Sequence, residues 1–300
     1  EKLKNIQEPI LNHHLMRLDD DYFEQFNLSE IEQHLNLILS LNSEKLCDLI
    51  IQPKDKKVYY LTIIGFDFPG LFSIISGLLT LYNLNIQTGK IFTYKRCTQS
   101  FSNDDADYYI KRKKIIDWLE IINNNEEELD EQFRANYVYE LNNYLLLVQK
   151  RKYNEVRKQL QKRIANFLFQ FKEKEQLKLM PIKIEIENED NWTILHITGE
   201  DTPAFLFSLS NALAIKGISI HKIYINTIDN KVNDILFITD RYERPITNTD
   251  YLNNLKIAVS LIKQFTLLLP FASDPSLAIE HFEQLIDAVL LNKTQSFNLL

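Results

Sequence analysis

The residues best placed to do chemistry are Asp67-Phe68-Pro69-Gly70-Leu71, a carboxylate followed two residues later by a proline and then a glycine, ahead of an apolar run. A helix is expected to begin here. Its first backbone N–H groups would be unpaired, and the end of a helix that carries them favours a carboxylate. The fixed φ of Pro69 suits a first helical turn, and Asp67 can cap it. Gly70 lacks a Cβ, so a ligand or another backbone can come close. An amino-acid ligand needs donors for its carboxylate and an acceptor for its ammonium, and Asp67 or a backbone carbonyl would supply that acceptor. The competing reading is that Asp67 only caps and Gly70 only permits packing. Asp201-Thr202-Pro203-Ala204 repeats the turn with Ala204 in the glycine position, which adds bulk at the point of approach. Asn85 and Ser219 open the strand after each helix. They either hydrogen-bond a ligand amide or end the preceding helix, and the helix-end reading is the better supported.

Other chemistry is thin. His13-His14 is followed by Asp19-Asp20-Asp21, whose spacing suits a helix start without any metal. Asp117 and Asp234 are expected in strands, facing either solvent or a partner module, with solvent the better-supported reading. The basic segments Lys111 to Lys114 and Lys150-Arg151-Lys152 read as solvated faces. Nucleotidyl transfer would need a Gly-Ser turn and spaced aspartates holding Mg²⁺. None of the six glycines precedes a serine, and no phosphate-binding loop is present, so no catalytic residue, metal ligand or cofactor is assigned.

A net charge of −7 argues against nucleic acid as the main partner. Cys47 and Cys97 have no metal-type spacing and read as reduced thiols of a cytoplasmic protein. The most apolar stretch, Leu255 to Phe271, is too short and too polar to span a bilayer. The first residue is not Met and the last lies in an apolar run, so the chain is expected to be a fragment of a longer protein.

The elements that must position the turn come as a repeat. Gly65 to Thr93 returns 134 residues later as Gly199 to Thr227, without a gap. Each copy reads as strand, turn, helix, strand, with helices over Pro69 to Tyr82 and Pro203 to Lys216. A later strand begins at Lys114 in the first copy and Val232 in the second. Cys97 to Arg112 is then a polar insertion. Residues 3 to 46 read as helices with Ser29 as a cap, and Thr249-Asp250 caps another helix. The segment Glu126 to Lys174 has no Pro or Gly and reads as one or two long helices.

This grammar, with Asp67-Phe68-Pro69-Gly70-Leu71 at the turn, resembles the ACT domain. The resemblance implies an α+β fold of two ferredoxin-like βαββαβ units and the binding of a small amino acid at the turn. Pro181 to Pro203 and His13 to Leu39 are similar to segments flanking ACT domains in the bacterial PII uridylyltransferase family. Ser273 to Leu290 resembles the helical region of glutamine synthetase adenylyltransferase. The implied organisation is a helical segment over 1–47, ACT-like units over 48–125 and 179–270, a helical linker over 126–178 and the start of a helical domain over 271–300. The implied ligand-binding residues are Asp67, Phe68, Pro69, Gly70, Leu71, Asn85, Asp201, Pro203, Ala204 and Ser219. Glutamine is the implied effector and attached catalytic domains the implied partners, with the PII protein or glutamine synthetase as target and Mg²⁺ confined to those domains. The alternative is a ligand-free scaffold that docks neighbouring domains.

Overall fold

A computed structural model describes residues 8–95, 112–169 and 182–290. Three helices come first: α1 (Glu8–Leu15), α2 (Asp20–Gln25) and α3 (Leu28–Ser40). They are followed by β1 (Cys47–Pro53), β2 (Val58–Phe66), α4 (Leu71–Leu81), β3 (Leu84–Thr93), β4 (Lys114–Asn123) and α5 (Glu131–Gln149). A further helix, α6 (Tyr153–Phe169), leads to the second half. That half repeats the order as β5 (Ile182–Asn188), β6 (Thr193–Glu200), α7 (Phe205–Ile215), β7 (Ser219–Ile228), β8 (Lys231–Thr239) and α8 (Thr249–Leu268). A 3-10 turn, Leu269–Phe271, precedes α9 (Pro275–Leu290). Apart from Arg112, the expected insertion Cys97 to Arg112 lies outside the described residues.

The eight strands form one antiparallel sheet in the order β1-β2-β4-β3-β7-β8-β6-β5. The order is the same from either end, as two copies of one unit joined edge to edge would give. The junction is three pairs long: Thr88 with Asn226, Gly89 with Ile225 and Lys90 with Tyr224. The sequence of elements corrects the expected one. Each half runs strand-strand-helix-strand-strand-helix, so the outer strand precedes the repeat rather than closing it. The segment after α5 is charged and free of Pro and Gly, and it continues as helix. The alternating segments β1 and β5 are instead tied to β2 and β6 by short turns, and they pair there as hairpins.

Strand alternation divides the side chains between two faces. Leu61, Ile63 and Leu119 face the helical layer, where α5 contributes the buried Tyr137, Leu141 and Leu145. Helices α4 and α7 lie side by side there. The inter-half helix α6 closes in from below, because Gly77 leaves room: a Cβ at Gly77 would stand 2.9 Å from both Leu160 and Phe207. On the other face α1–α3 cover the first half, with Tyr22 edge-on to Phe92 at 5.5 Å between ring centroids. A buried polar chain runs through this layer. His14 Nδ1 bonds the Tyr94 hydroxyl, and its Nε2 lies 3.2 Å from the Tyr22 hydroxyl, which is 2.9 Å from His34 Nδ1.

Three local readings are corrected. Asn27, not Ser29, caps α3, accepting from the Ser29 and Glu30 amides while Glu30 bonds back to it. Asn248 caps α8 through the Tyr251 amide at 2.8 Å. Lys114 is buried rather than solvated, because β4 carries it beneath the first helices. Burial, with the nearby Arg17 and Arg112, pushes its ammonium down to about 7. Among the described residues no helix is long and apolar enough to cross a membrane.

Two outcomes follow. Gly77→Leu is expected to lower stability by about 1–3 kcal/mol by forcing α6 and α7 away from α4, as read by urea unfolding. Burial pushes His14 down to about 3 and His34 to about 4, from 6.5. The unfolded chain therefore binds more protons below pH 6.5, and stability is expected to drop as the pH falls from there towards the folded values. His34→Gln is expected to remove part of this loss, and a difference in urea midpoint between wild type and the variant that stays constant between about pH 7 and 5 would contradict the assignment.

Candidate functional site: a cavity at the seam between the halves

The turn before α4 is built differently from the sequence reading. Pro69 lies ahead of the helix, and the cap position is Gly70, left-handed at φ 74°. Asp67 makes no capping hydrogen bond. The helix start is closed by the turn's own carbonyls, with the Leu71 amide on Phe68 O and the Ser73 amide on Gly70 O, each at 3.0 Å. The Ser73 hydroxyl adds a bond to Gly70 O at 2.7 Å. Freed from capping, Asp67 belongs to the sheet end: its amide donates to Lys113 O at 2.9 Å. Ala204 holds the matching left-handed position at φ 60°.

Next to this turn is a cavity of about 250 Å³. One wall comes from the first half: the run Asp67 to Ser73, Ile91 and Thr93 on β3, and Ile115 and Asp117 on β4. The other comes from the second half: Ser210 and Ala214 on α7, the run Gly217 to His221 entering β7, and Glu243. The seam explains this pairing of walls, since β3 and β7 are the joined strands and α4 and α7 lie against each other above them. A salt bridge of 2.7 Å between Lys113 and Glu243 ties the halves together at the cavity wall. Arg112 lies over the Phe68 ring at 4.3 Å and the Phe66 ring at 4.7 Å. His221 Nε2 is 2.8 Å from the Thr239 hydroxyl, and burial pushes the imidazole down to about 4.

The structure thus brings together Asp67, Phe68, Pro69, Gly70, Leu71 and Ser219, from opposite halves. It does not bring in Asn85, Asp201, Pro203 or Ala204, which lie away from this cavity. The residue missed is Asp117. It was expected to face solvent, but it is 1% exposed, because β4 lies between β2 and β3 with α4 above. Its Oδ1 has no hydrogen-bond partner among the described residues, and nor does Thr93 Oγ1, also on the cavity wall. Burial, then the Asp67 carboxyl, raises the Asp117 carboxyl well above the usual range. Burial also raises Asp67, opposed by Lys113, reinforced by Glu243 and opposed again by Arg112. The signal was in the sequence: each copy sets one aspartate inside an otherwise apolar central strand, Asp117 between Ile116 and Trp118 and Asp234 before Ile235-Leu236.

The molecule is therefore an α+β protein of two like halves, with a partly polar cavity at their seam. The known proteins it is similar to are bacterial and of one kind, each a bifunctional uridylyltransferase/uridylyl-removing enzyme. That of Rhodopseudomonas palustris is 24% identical over 196 residues, covering 64% of this chain and 18% of the enzyme. That of Stutzerimonas stutzeri is 23% identical over 256 residues, covering 81% of this chain and 25% of the enzyme. That of Methylococcus capsulatus is 32% identical over 69 residues, 22% of this chain and 8% of the enzyme. The matched region spans a quarter or less of each enzyme's length. No protein-family model matches the chain, and no solved structure does.

The paired turns predict opposite responses. Ala204→Gly is expected to stabilise by about 0.5–1 kcal/mol, because an L side chain is strained at that φ, whereas Gly70→Ala is expected to cost about 1–2 kcal/mol. Both are read by urea unfolding. Asp117→Asn is expected to raise stability near neutral pH. The raised folded value means that the native state holds this proton above 3.8 while the unfolded chain gives it up, so this carboxyl's contribution to stability falls as the pH rises. The gain should shrink towards pH 4, and a gain that grows with acidity would contradict the assignment.

Proposed function

We propose that the chain is an amino-acid-sensing regulatory module of a larger nitrogen-control nucleotidyltransferase. It comprises two ACT-type units, over about 48–125 and 179–270, fused along one sheet, and L-glutamine is the effector. The observation that carries the reading is the seam cavity. It joins the Asp67 to Leu71 turn of one half to Ser219 of the other, and its wall presents polar atoms with no partner of their own. A buried polar atom without a partner costs roughly 1–3 kcal/mol, and a bound polar molecule recovers part of that. The similarity to uridylyltransferases over most of the chain supports the regulatory setting. In ferredoxin-like terms each unit is permuted, its outer strand coming first.

A ligand in this cavity touches both halves, so its affinity depends on how they are set against each other. Binding then favours one arrangement of the halves over others and passes that bias to attached catalytic domains. Those domains, with their Mg²⁺, would act on the PII protein or glutamine synthetase.

Calorimetric titration with L-glutamine and a panel of other amino acids tests this. Glutamine is expected to bind with one site per chain. Ser219→Phe, which fills the cavity from an exposed position, is expected to weaken binding about tenfold or more. Asn85→Phe, at the equivalent position away from the cavity, should leave it within about twofold. Absence of heat with every amino acid at millimolar concentration would instead favour the scaffold reading.

A further inference from the structure

The two halves carry the same pair of carboxyls, a half-buried Asp67 with a buried Asp117 in the first and a half-buried Asp201 with a buried Asp234 in the second, but the surroundings of the two pairs differ. In the second half, Lys263 reaches in from α8 and is 1% exposed. Its ammonium donates to Glu200 O and lies 3.4 Å from Thr202 Oγ1, close enough to Asp201 and Asp234 for their charges to act on it. Asp234 also accepts from the Asn226 amide at 3.3 Å. The second pair therefore has a lysine of its own chain close by, although Asp234 Oδ2, like Asp117 Oδ1, keeps no hydrogen-bond partner among the described residues.

Among the described residues the first half has no lysine in the corresponding place. Helix α5, which stands where α8 stands, contains no lysine, and its single arginine, Arg134, is bound to Asp48, Glu131 and Leu49 O. The cations near Asp67 are engaged, Lys113 with Glu243 and Arg112 over two aromatic rings. What the first half has in place of the lysine is the seam cavity, with Asp117 Oδ1 and Thr93 Oγ1 unpartnered on its wall.

We infer that the seat at the seam takes the primary ammonium group of a small ligand, held by Asp117 and Thr93 beside Asp67; the cavity lies beside the first pair and not the second, where Lys263 is packed, so each chain binds one such molecule. The inference rests on the seam cavity being the ligand site and specifies which part of the ligand is read there. An ammonium has three donors, and Asp117 Oδ1 and Thr93 Oγ1 can each accept from it. The Asp67 and Asp117 carboxyls act against each other, and a ligand cation between them relieves that.

The test is calorimetry on the same chain with three probes: L-glutamine, 4-aminobutanamide, which keeps the ammonium but lacks the carboxylate, and glutaramic acid, which lacks the ammonium. Glutamine and 4-aminobutanamide are expected to bind one per chain and to compete, with glutaramic acid weaker by about tenfold or more. Asp117→Asn should weaken both ammonium probes by about tenfold or more, and Asp234→Asn by less than about twofold. Thr93→Val, which keeps the shape and removes the hydroxyl, provides the same readout if Asp117→Asn does not fold. Glutamine bound equally by wild type, Asp117→Asn and Thr93→Val would overturn the inference and leave the sensor reading standing, as would glutaramic acid binding as tightly as glutamine. Binding of 4-aminobutanamide that depends on Asp117, without binding of glutamine, would uphold the ammonium seat and overturn glutamine sensing. Binding of neither ammonium probe would overturn both.

Discussion

Three residue pairs between β3 and β7 turn two four-stranded units into one sheet, and the rest of the molecule follows from that junction. Backbone pairing fixes the halves in register to within one residue, since a slip of one would exchange the two faces of a strand. The junction tolerates no bulk at its centre. A Cβ at Gly89 would meet Leu119 at 2.6 Å and Ile225 at 3.2 Å. With the strands fixed, α4 and α7 must lie against each other, and the turn before α4 must face the entry to β7. The seam cavity is the space left where these two approach.

The same constraint accounts for the role of α6. A connection between tandem units is often a tether, but here it is packed. Leu160 and Ile164 lie against the Gly77 face of α4, and on its other side α6 meets α9, where Glu283 bonds Gln161 and lies 3.5 Å from Arg157. Lys216 at the end of α7 also pairs with Asp287 of α9. The layer on the helical side is thus continuous from the first half to the last described helix.

Much of this was legible in the residues. The gapless repeat announced two like halves, each with its strand, turn, helix and strand. The long polar segment without Pro or Gly resolved into α5 and α6. What was not legible is what depends on distance in space. Ser219 becomes a neighbour of Gly70 only through the seam, so its partnership could not be read from either copy alone. Asp67 looked like a cap because its position before a helix is the usual place for one, yet the left-handed Gly70 lets the turn close on its own carbonyls. Asp117 looked solvated because aspartates usually are, and its burial is set by a strand order that local sequence does not reveal. The strands over 48–52 and 182–186 are readable in the residues, and what the structure replaces is the βαββαβ order that the resemblance implied.

A sheet that grows by joining one edge to another raises the question of what stops it. Its open edges are β1 and β5, and an unpaired strand edge is a template for a further chain. The two edges are guarded by different means. β5 sets Lys183, Glu185 and Glu187 outward, with Lys183 and Glu185 paired at 2.8 Å, so a neighbouring strand would have to lie against charged side chains. β1 ends at Pro53, which has no amide proton to give, and anchors Asp48 beneath Arg134 of α5. Among the described residues the fused sheet thus carries charge at one margin and proline at the other.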